Sequence, residues 1–442
     1  MIDLLPNEVM LEIFSYLDIH DLALSVQHVN SRWKELSRDK KLWKDRVFKP
    51  DDSMLDEERM HLLRNMPSLR AYVSYRGRNT ELIIDTLCTY CKGIEHLHLN
   101  GNHIVRYSLL QKITNSFPNL EKLTISFFEQ ENPLQFCRLI SDLQNLTTLS
   151  FAGSCVKELQ DGILKPIADG CPSLQHMDLG KGMFTDEDVR YFLTKKQTQL
   201  LFFRVGCYTS VETYACIVRC KNLEHLYYSC PPDCPDLNLI DISLVKDLKN
   251  LKSLMLPHLS EIQYRNLPHL FEGAYLRNIT KLQFEAYDLG TVLRNCPQLL
   301  ELTVRGTKDV LEEGLKDIGN CKNLKYLSFS ECRGVTARCV KYVADGCPKL
   351  KYLNLSCFVH ISNDLIQNVL KCKNLRILCI KYDYWARTKF LLIPSHLVHL
   401  KQLVIYEYIK GEDVWNKLQQ EMPHLKIREK YFDNDIEDVD YK

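Results

Sequence analysis

The arrangement with the most chemical potential is Cys88-x-x-Cys91 followed by His96 and His98. Thiolates and imidazoles of this kind bind zinc. A structural zinc site usually brings a second well-spaced pair, whereas here His96 and His98 alternate outward from a predicted strand and Cys91 belongs to a repeating buried column. We therefore expect no metal and no cofactor. The sequence carries no Walker or dinucleotide glycine loop, no His-Glu-x-x-His and no Gly-x-Ser-x-Gly. A reactive thiol needs basic neighbours or a helix N-terminus to lower its pKa, and nothing marks one among the 18 cysteines. The expectation is a chain with no catalytic residues.

The cysteines instead report on architecture. Cys91, Cys171, Cys220, Cys296, Cys321, Cys347 and Cys372 each lie three residues before the first apolar residue of a recurring phrase. Met66, Phe117, Leu143, Leu248, Leu276, Leu397 and Met422 take that place elsewhere. Cysteine alternating with Leu, Phe and Met acts as a small buried hydrophobe. The phrase is an apolar residue, two variable residues, an apolar residue, a variable residue and a third apolar residue, as in Leu120, Leu123, Ile125. Its thirteen copies start at 94, 120, 146, 174, 200, 223, 251, 279, 299, 324, 350, 375 and 400, a step of 20 to 28 residues. That is leucine-rich-repeat spacing. One strand with a return segment cannot bury its own apolar face, so the units stack into a solenoid. We expect an α/β fold in which about 13 to 14 repeats build a curved solenoid with a parallel concave sheet.

Within each phrase the apolar positions face the core, and by alternation the intervening ones face the concave surface. Small polar residues dominate that surface early in the chain, and aromatic residues gather late. Tyr, Trp and Arg are the usual interface anchors. The expected grip on a protein partner is therefore Arg305, Tyr326, Tyr352, Phe358, Lys381, Tyr382, Trp385 and Tyr406. The alternative for any one tyrosine is a ring half buried between neighbouring repeats. Cys230-Pro231-Pro232-Asp233-Cys234-Pro235 breaks the period and reads as a loop.

The first fifty residues show helical periodicity and no strand phrase. Pro6 suits a first helical turn, and Val9, Ile13 and Leu17 recur on one face, widened by Met10 and Phe14. A second helix is expected through Leu22, Val26 and Val29, followed by Trp33, Leu36, Leu42 and Trp43. Leu5-Pro6-x-Glu8, Ile13-Phe14-x-Tyr16-Leu17, Asp21-Leu22, Val29-x-x-x-Trp33 and Leu42-Trp43 resemble the F-box in order and spacing. The cysteine-bearing phrase likewise resembles the repeats of F-box leucine-rich-repeat proteins. The resemblance implies a substrate receptor: the box docks on the Skp-type adaptor of a cullin ubiquitin ligase, and the repeats hold an unidentified protein to be ubiquitinated. It assigns adaptor binding to Leu5, Pro6, Ile13, Phe14, Leu17, Leu22, Val29, Trp33, Leu42 and Trp43. Two rivals are a scaffolding repeat protein whose F-box-like cap recruits no ligase and a cysteine-dependent ligase in its own right.

The expected organisation is an F-box module over 1–48, a linker helix over 49–66, the solenoid over 67–428 and an acidic tail over 429–442. Lys and Arg number 57 against 56 Asp and Glu, so no overall field draws the chain to nucleic acid or to a membrane surface. No apolar run reaches the roughly 18 residues of a membrane span, and no signal sequence opens the chain. We expect a soluble protein of the cytoplasm, the nucleus or both.

Overall fold

The structure is a computed structural model. It describes residues 4–51, 54–75, 79–100, 103, 105–126, 132–151, 161–181, 184–206, 209–229, 234, 236, 238–256, 269–271, 276–285, 289–305, 311–330, 332, 335–357, 362–381, 384–406 and 413–430. Two compact units divide the chain, Met1–Leu223 and Glu224–Lys442.

In the first unit, helices α1 (Asn7–Ser15), α2 (Ser31–Ser37), α3 (Lys40–Trp43) and α4 (Asp56–Arg64) precede the repeats. Asp21–Ser25 and Val26–His28 form a π turn and a 3₁₀ turn where one continuous second helix was expected. Parallel strands then follow in order: β1 (Val47–Phe48), β2 (Ala71–Ser74), β3 (His96–Leu99), β4 (Lys122–Thr124), β5 (Thr148–Ser150), β6 (His176–Lys181) and β7 (Phe202–Gly206). Each strand pairs with the next. The short β1 comes from the box segment itself, with Val47 opposite Ala71 and Phe48 opposite Tyr72. Backbone pairing thus joins the helical module directly to the first repeat.

The second unit continues the same grammar with β8 (His225–Tyr228), β9 (Ser253–Leu256), β10 (Lys281–Glu285), β11 (Glu301–Arg305), β12 (Tyr326–Ser330), β13 (Tyr352–Leu355), β14 (Ile377–Lys381), β15 (Gln402–Tyr406) and β16 (Lys426–Lys430). These also pair in parallel, each with its successor. Helices from successive repeats pack side by side. At one such contact a side chain on Gly346 would lie 2.8 Å from the Cα of Gly319, so only glycine permits the approach.

All thirteen phrases coincide with strands, β3 to β15, each beginning two residues after the leading apolar residue. The column three residues upstream explains the reversal into each strand. Cys91, Phe117, Cys171, Cys220, Leu248, Cys321, Cys347 and Leu397 are helix C-caps with φ negative and ψ between 55° and 84°. The leading residue's N–H then donates back to the column carbonyl, as from Leu120 to Phe117 (3.1 Å) and from Leu324 to Cys321 (3.0 Å). Every Cys, Leu, Phe and Met of the column is buried, and Gln197, which takes the place before Leu200, is half-buried. Its thiols do more than fill space: Cys91 Sγ donates to Leu63 O (3.3 Å) and Cys171 Sγ to Ile140 O (3.6 Å), carbonyls of the preceding repeat. A leucine at the same place cannot do this.

Candidate partner-binding surfaces

The box is organised by two arginines. Pro6 is the N-cap of α1 rather than its first helical residue, and its carbonyl accepts from Met10 N (3.1 Å). Arg32 on α2 donates to Leu5 O (2.5 Å) and Asn7 Oδ1 (2.7 Å), clamping the start of α1. Arg46 donates to Leu17 O (2.5 Å) and Ser15 O (2.8 Å) at its other end, where a cation satisfies carbonyls left open by the helix. Asn30 caps α2 by accepting from Trp33 N (2.9 Å), and Trp43 Nε1 donates to Ser37 O (2.8 Å).

These constraints sort the expected adaptor-binding residues into two groups. Phe14, Leu22, Leu42 and Trp43 are buried within the first unit, so they build the module and offer no surface in this chain. Leu5, Leu17 and Trp33 are half-buried, with the Trp33 ring 5.2 Å from that of Phe14. Pro6, Ile13 and Val29 are exposed. Sequence reasoning misses their neighbours: Leu4 is 85% exposed and Tyr16 83%, and Val9 is exposed as well. Val9, Ile13 and Tyr16 stand at i, i+4 and i+7, one face of α1, while Met10 and Phe14 take the inner face. The result is an apolar face of Val9, Ile13 and Tyr16 on α1, with Leu4 and Val29 also exposed in the same module.

A second candidate surface lies on the strand face of the second unit. Tyr326 and Tyr352 stand opposite in register and stack with ring centroids 4.2 Å apart and planes 2° from parallel. Tyr352, Cys379 and Val404 form a buried cluster, against which Tyr326, Ile377 and Tyr406 pack. Tyr352 is only 4% exposed, which corrects its expected place as an open anchor: flat cross-strand stacking covers the ring. Burial pushes the Tyr406 hydroxyl up to about 12. Lys381 stands opposite Tyr406, and Arg305 ends β11, both half-buried. Phe358, Tyr382 and the side chain of Trp385 lie outside the described residues, as does most of the Pro-rich loop and the tail beyond 430.

In the first unit the strand face is polar and cross-linked. His96 Nε2 lies 3.3 Å from Glu121 and the His98 ring meets Tyr75 edge-on at 5.1 Å. Asp178 accepts from Ser150 (3.0 Å) and pairs with Arg204 (3.7 Å). Cys88 Sγ points to Lys112 O (3.9 Å), away from the Leu63 carbonyl that Cys91 meets. Among the described residues no group of three or more His, Cys, Asp or Glu is placed to hold a metal ion, and no helix is long and apolar enough to cross a membrane. Sequence reasoning confined to the strand face also misses the residue directly after each leading apolar residue, which is Lys325, Lys351, Arg376 and Lys401 before β12 to β15.

Residues 2–49 match the F-box-like family model. F-box/LRR-repeat protein 21 of Mus musculus is 23% identical over 380 residues, covering 77% of this chain and 79% of the relative. The Ovis aries protein of that name is 24% identical over 400 residues, covering 82% and 84%. Among solved structures, a chain of the yeast Rad7 and Elc1 complex matches over 95% of this chain and 92% of its own length, with a TM-score of 0.50 and 13% identity, a likeness of fold. Box at the N-terminus, leucine-rich repeats after it and relatives that combine the two agree: residues 2–49 are F-box-like, and the chain as a whole is similar to F-box/LRR-repeat proteins.

Proposed function

We propose that this protein is the substrate-recognition subunit of a Skp-cullin-F-box ubiquitin ligase, itself without catalytic residues. The apolar face of Val9, Ile13 and Tyr16, with Leu4 and Val29 exposed in the same module, carries the reading. Among the described residues, half of the exposed large hydrophobic ones fall between Leu4 and Val47, where residues 2–49 match the F-box-like model. A concentration of exposed large apolar side chains marks an interaction site. In this reading the face docks on a Skp-type adaptor, and through it on a cullin, while the repeats hold the protein to be modified. Rad7, whose fold is similar, was solved in complex with Elc1, which is consistent with a repeat protein that works bound to a partner.

The test is co-purification with a Skp-type adaptor. Ile13→Asp with Tyr16→Asp places two charges on the face and touches no buried residue, so adaptor binding should fall at least about a hundredfold while the melting temperature stays unchanged. Retention of the adaptor by this variant would refute the docking face.

A further inference from the structure

Directly before β12 to β15 stand Lys325, Lys351, Arg376 and Lys401, four cations on four consecutive strands, all exposed. Their backbones are linked rung to rung: Lys351 N donates to Lys325 O (2.8 Å), Arg376 N to Lys351 O (2.7 Å) and Lys401 N to Arg376 O (2.7 Å). With strands about 4.8 Å apart, the four span about 14 Å. They line a cavity of about 550 Å³ together with Lys349, Asn374, His399, His424 and Val398, and among the described residues no acidic one lines it.

The same column elsewhere shows what the fold does with such charges. Glu95 and Glu121 share Arg70, itself a member of the column, and Glu121 also meets His96 (3.3 Å). In the second unit Glu224 pairs with Lys252 on the next rung (2.6 Å). Opposite charges on neighbouring rungs neutralise each other. At Lys325, Lys351, Arg376 and Lys401 the signs are all alike, and none of the four is ion-paired with a described acidic residue. Like charges directly opposite on adjacent strands are destabilising, so an external anion relieves a repulsion built into the ladder.

We propose that these strand starts hold an extended acidic segment of the partner protein. The proposal deepens the receptor reading and rests on the repeats being what grips the partner. A peptide rather than a nucleic acid fits the lining. Apart from two histidines its described residues include no aromatic ring on which bases would stack, and they include Val398, 58% exposed, which suits an apolar side chain among acidic ones. A span of about 14 Å matches four or so residues of extended chain, and Arg376 offers a bidentate fork to one carboxylate.

The experiment is fluorescence anisotropy of the full chain, with its adaptor, using a labelled decapeptide of alternating glutamate and serine with a central valine. Saturable binding should weaken at least about tenfold in Lys351→Glu with Arg376→Glu, weaken on raising salt, and stay unchanged in Lys417→Glu, an exposed lysine away from the ladder. Lys351→Gln with Arg376→Gln gives the same test should the reversal fail to fold. Unchanged affinity in either double variant, equal binding of the glutamine version of the peptide, or tighter binding of a single-stranded oligonucleotide of equal charge would overturn the proposal. So would a tenfold gain on ending the chain at Lys430, which would make its own acidic terminus the occupant. Adaptor co-purification with the unsubstituted chain separates the two readings: no saturable peptide binding with adaptor retained refutes the ladder alone, and peptide binding without adaptor refutes the receptor reading alone.

Discussion

Replacing Tyr352 by alanine should damage the second unit before it says anything about partner binding. The ring is buried, stacked on Tyr326 at 4.2 Å, and its hydroxyl lies 3.4 Å from the Cys379 thiol. Removing a buried aromatic side chain costs about 3–5 kcal/mol, of which the stack supplies about 0.5–1.5 kcal/mol. For a unit of this size each kcal/mol lowers Tm by about 2–4 °C, so Tyr352→Ala should lower it by about 6–20 °C. Tyr352→Phe keeps the stack and loses only the hydroxyl, at about 0.5–1.5 kcal/mol. Tyr326→Ala, which removes the half-buried partner, should fall between the two. Thermal unfolding gives the order. Hydrogen exchange gives the place, because repeat stability is a nearest-neighbour property, and protection should be lost first in β12 to β14. Tyr352→Ala that unfolds with wild type, or exchange loss spread evenly, would refute the buried cluster and restore Tyr352 as an open anchor. Arg305→Ala and Lys381→Ala are the cleaner probes of binding at that face.

Two further outcomes follow from buried titratable groups. Burial holds the thiols of Cys296, Cys321, Cys347 and Cys372 at about 12, so they should resist alkylation in the folded chain near pH 8 and react on denaturation, with half-buried Cys216 reacting earlier; rapid native labelling of Cys321, read by peptide mass spectrometry, would show the column to be open. His103 is fully buried, bonded to Ser74 (2.8 Å) and Thr80 (3.0 Å), and burial with Arg59 and His98 nearby lowers its pKa from 6.5 to about 4. The unfolded chain therefore binds a proton that the folded one refuses between those values. Stability of the first unit should fall as pH drops from 6.5 toward 4, and His103→Gln should flatten that slope in urea titrations at a series of pH values; an unchanged slope would show that His103 does not titrate there.

The strands were legible because burying one face forces a strict three-residue code, and apolar residues obey it thirteen times, Met177 and Tyr228 standing among Leu, Ile, Val and Phe. The cysteine column was legible as burial but not as hydrogen bonding, since an Sγ that donates to a carbonyl of the preceding repeat looks the same in sequence as one that only fills space. Tyr352 was misplaced because alternation assigns a side chain to a face without saying whether that face is covered; the neighbour Tyr326, some 26 residues away in sequence, decides it. Nothing in the spacing of the box marks Arg32 or Arg46. Their work on the ends of α1 depends on tertiary distances that no spacing rule encodes. The charge ladder could have been found by tabulating the residue after each leading leucine.

The box poses the sharper problem. Seven of the residues from Val9 to Leu17 are apolar or aromatic: Val9, Met10, Leu11, Ile13, Phe14, Tyr16 and Leu17. A stripe was expected from Val9, Ile13 and Leu17, and Met10 and Phe14 were taken to widen it. A helix that is apolar nearly all round wants burial on more than one side. The interior of the first unit takes only Met10 and Phe14 completely. A module of about fifty residues has too little core to cover the rest. Periodicity alone cannot choose between the two stripes, because both are apolar and each repeats at helical spacing. Arg32 and Arg46 choose, by fixing both ends of α1 against Leu5, Asn7, Ser15 and Leu17 so that Val9, Ile13 and Tyr16 turn outward. The surplus of apolar residues is thus where folding and docking make separate demands on one helix, and the arginine clamps settle which stripe serves which.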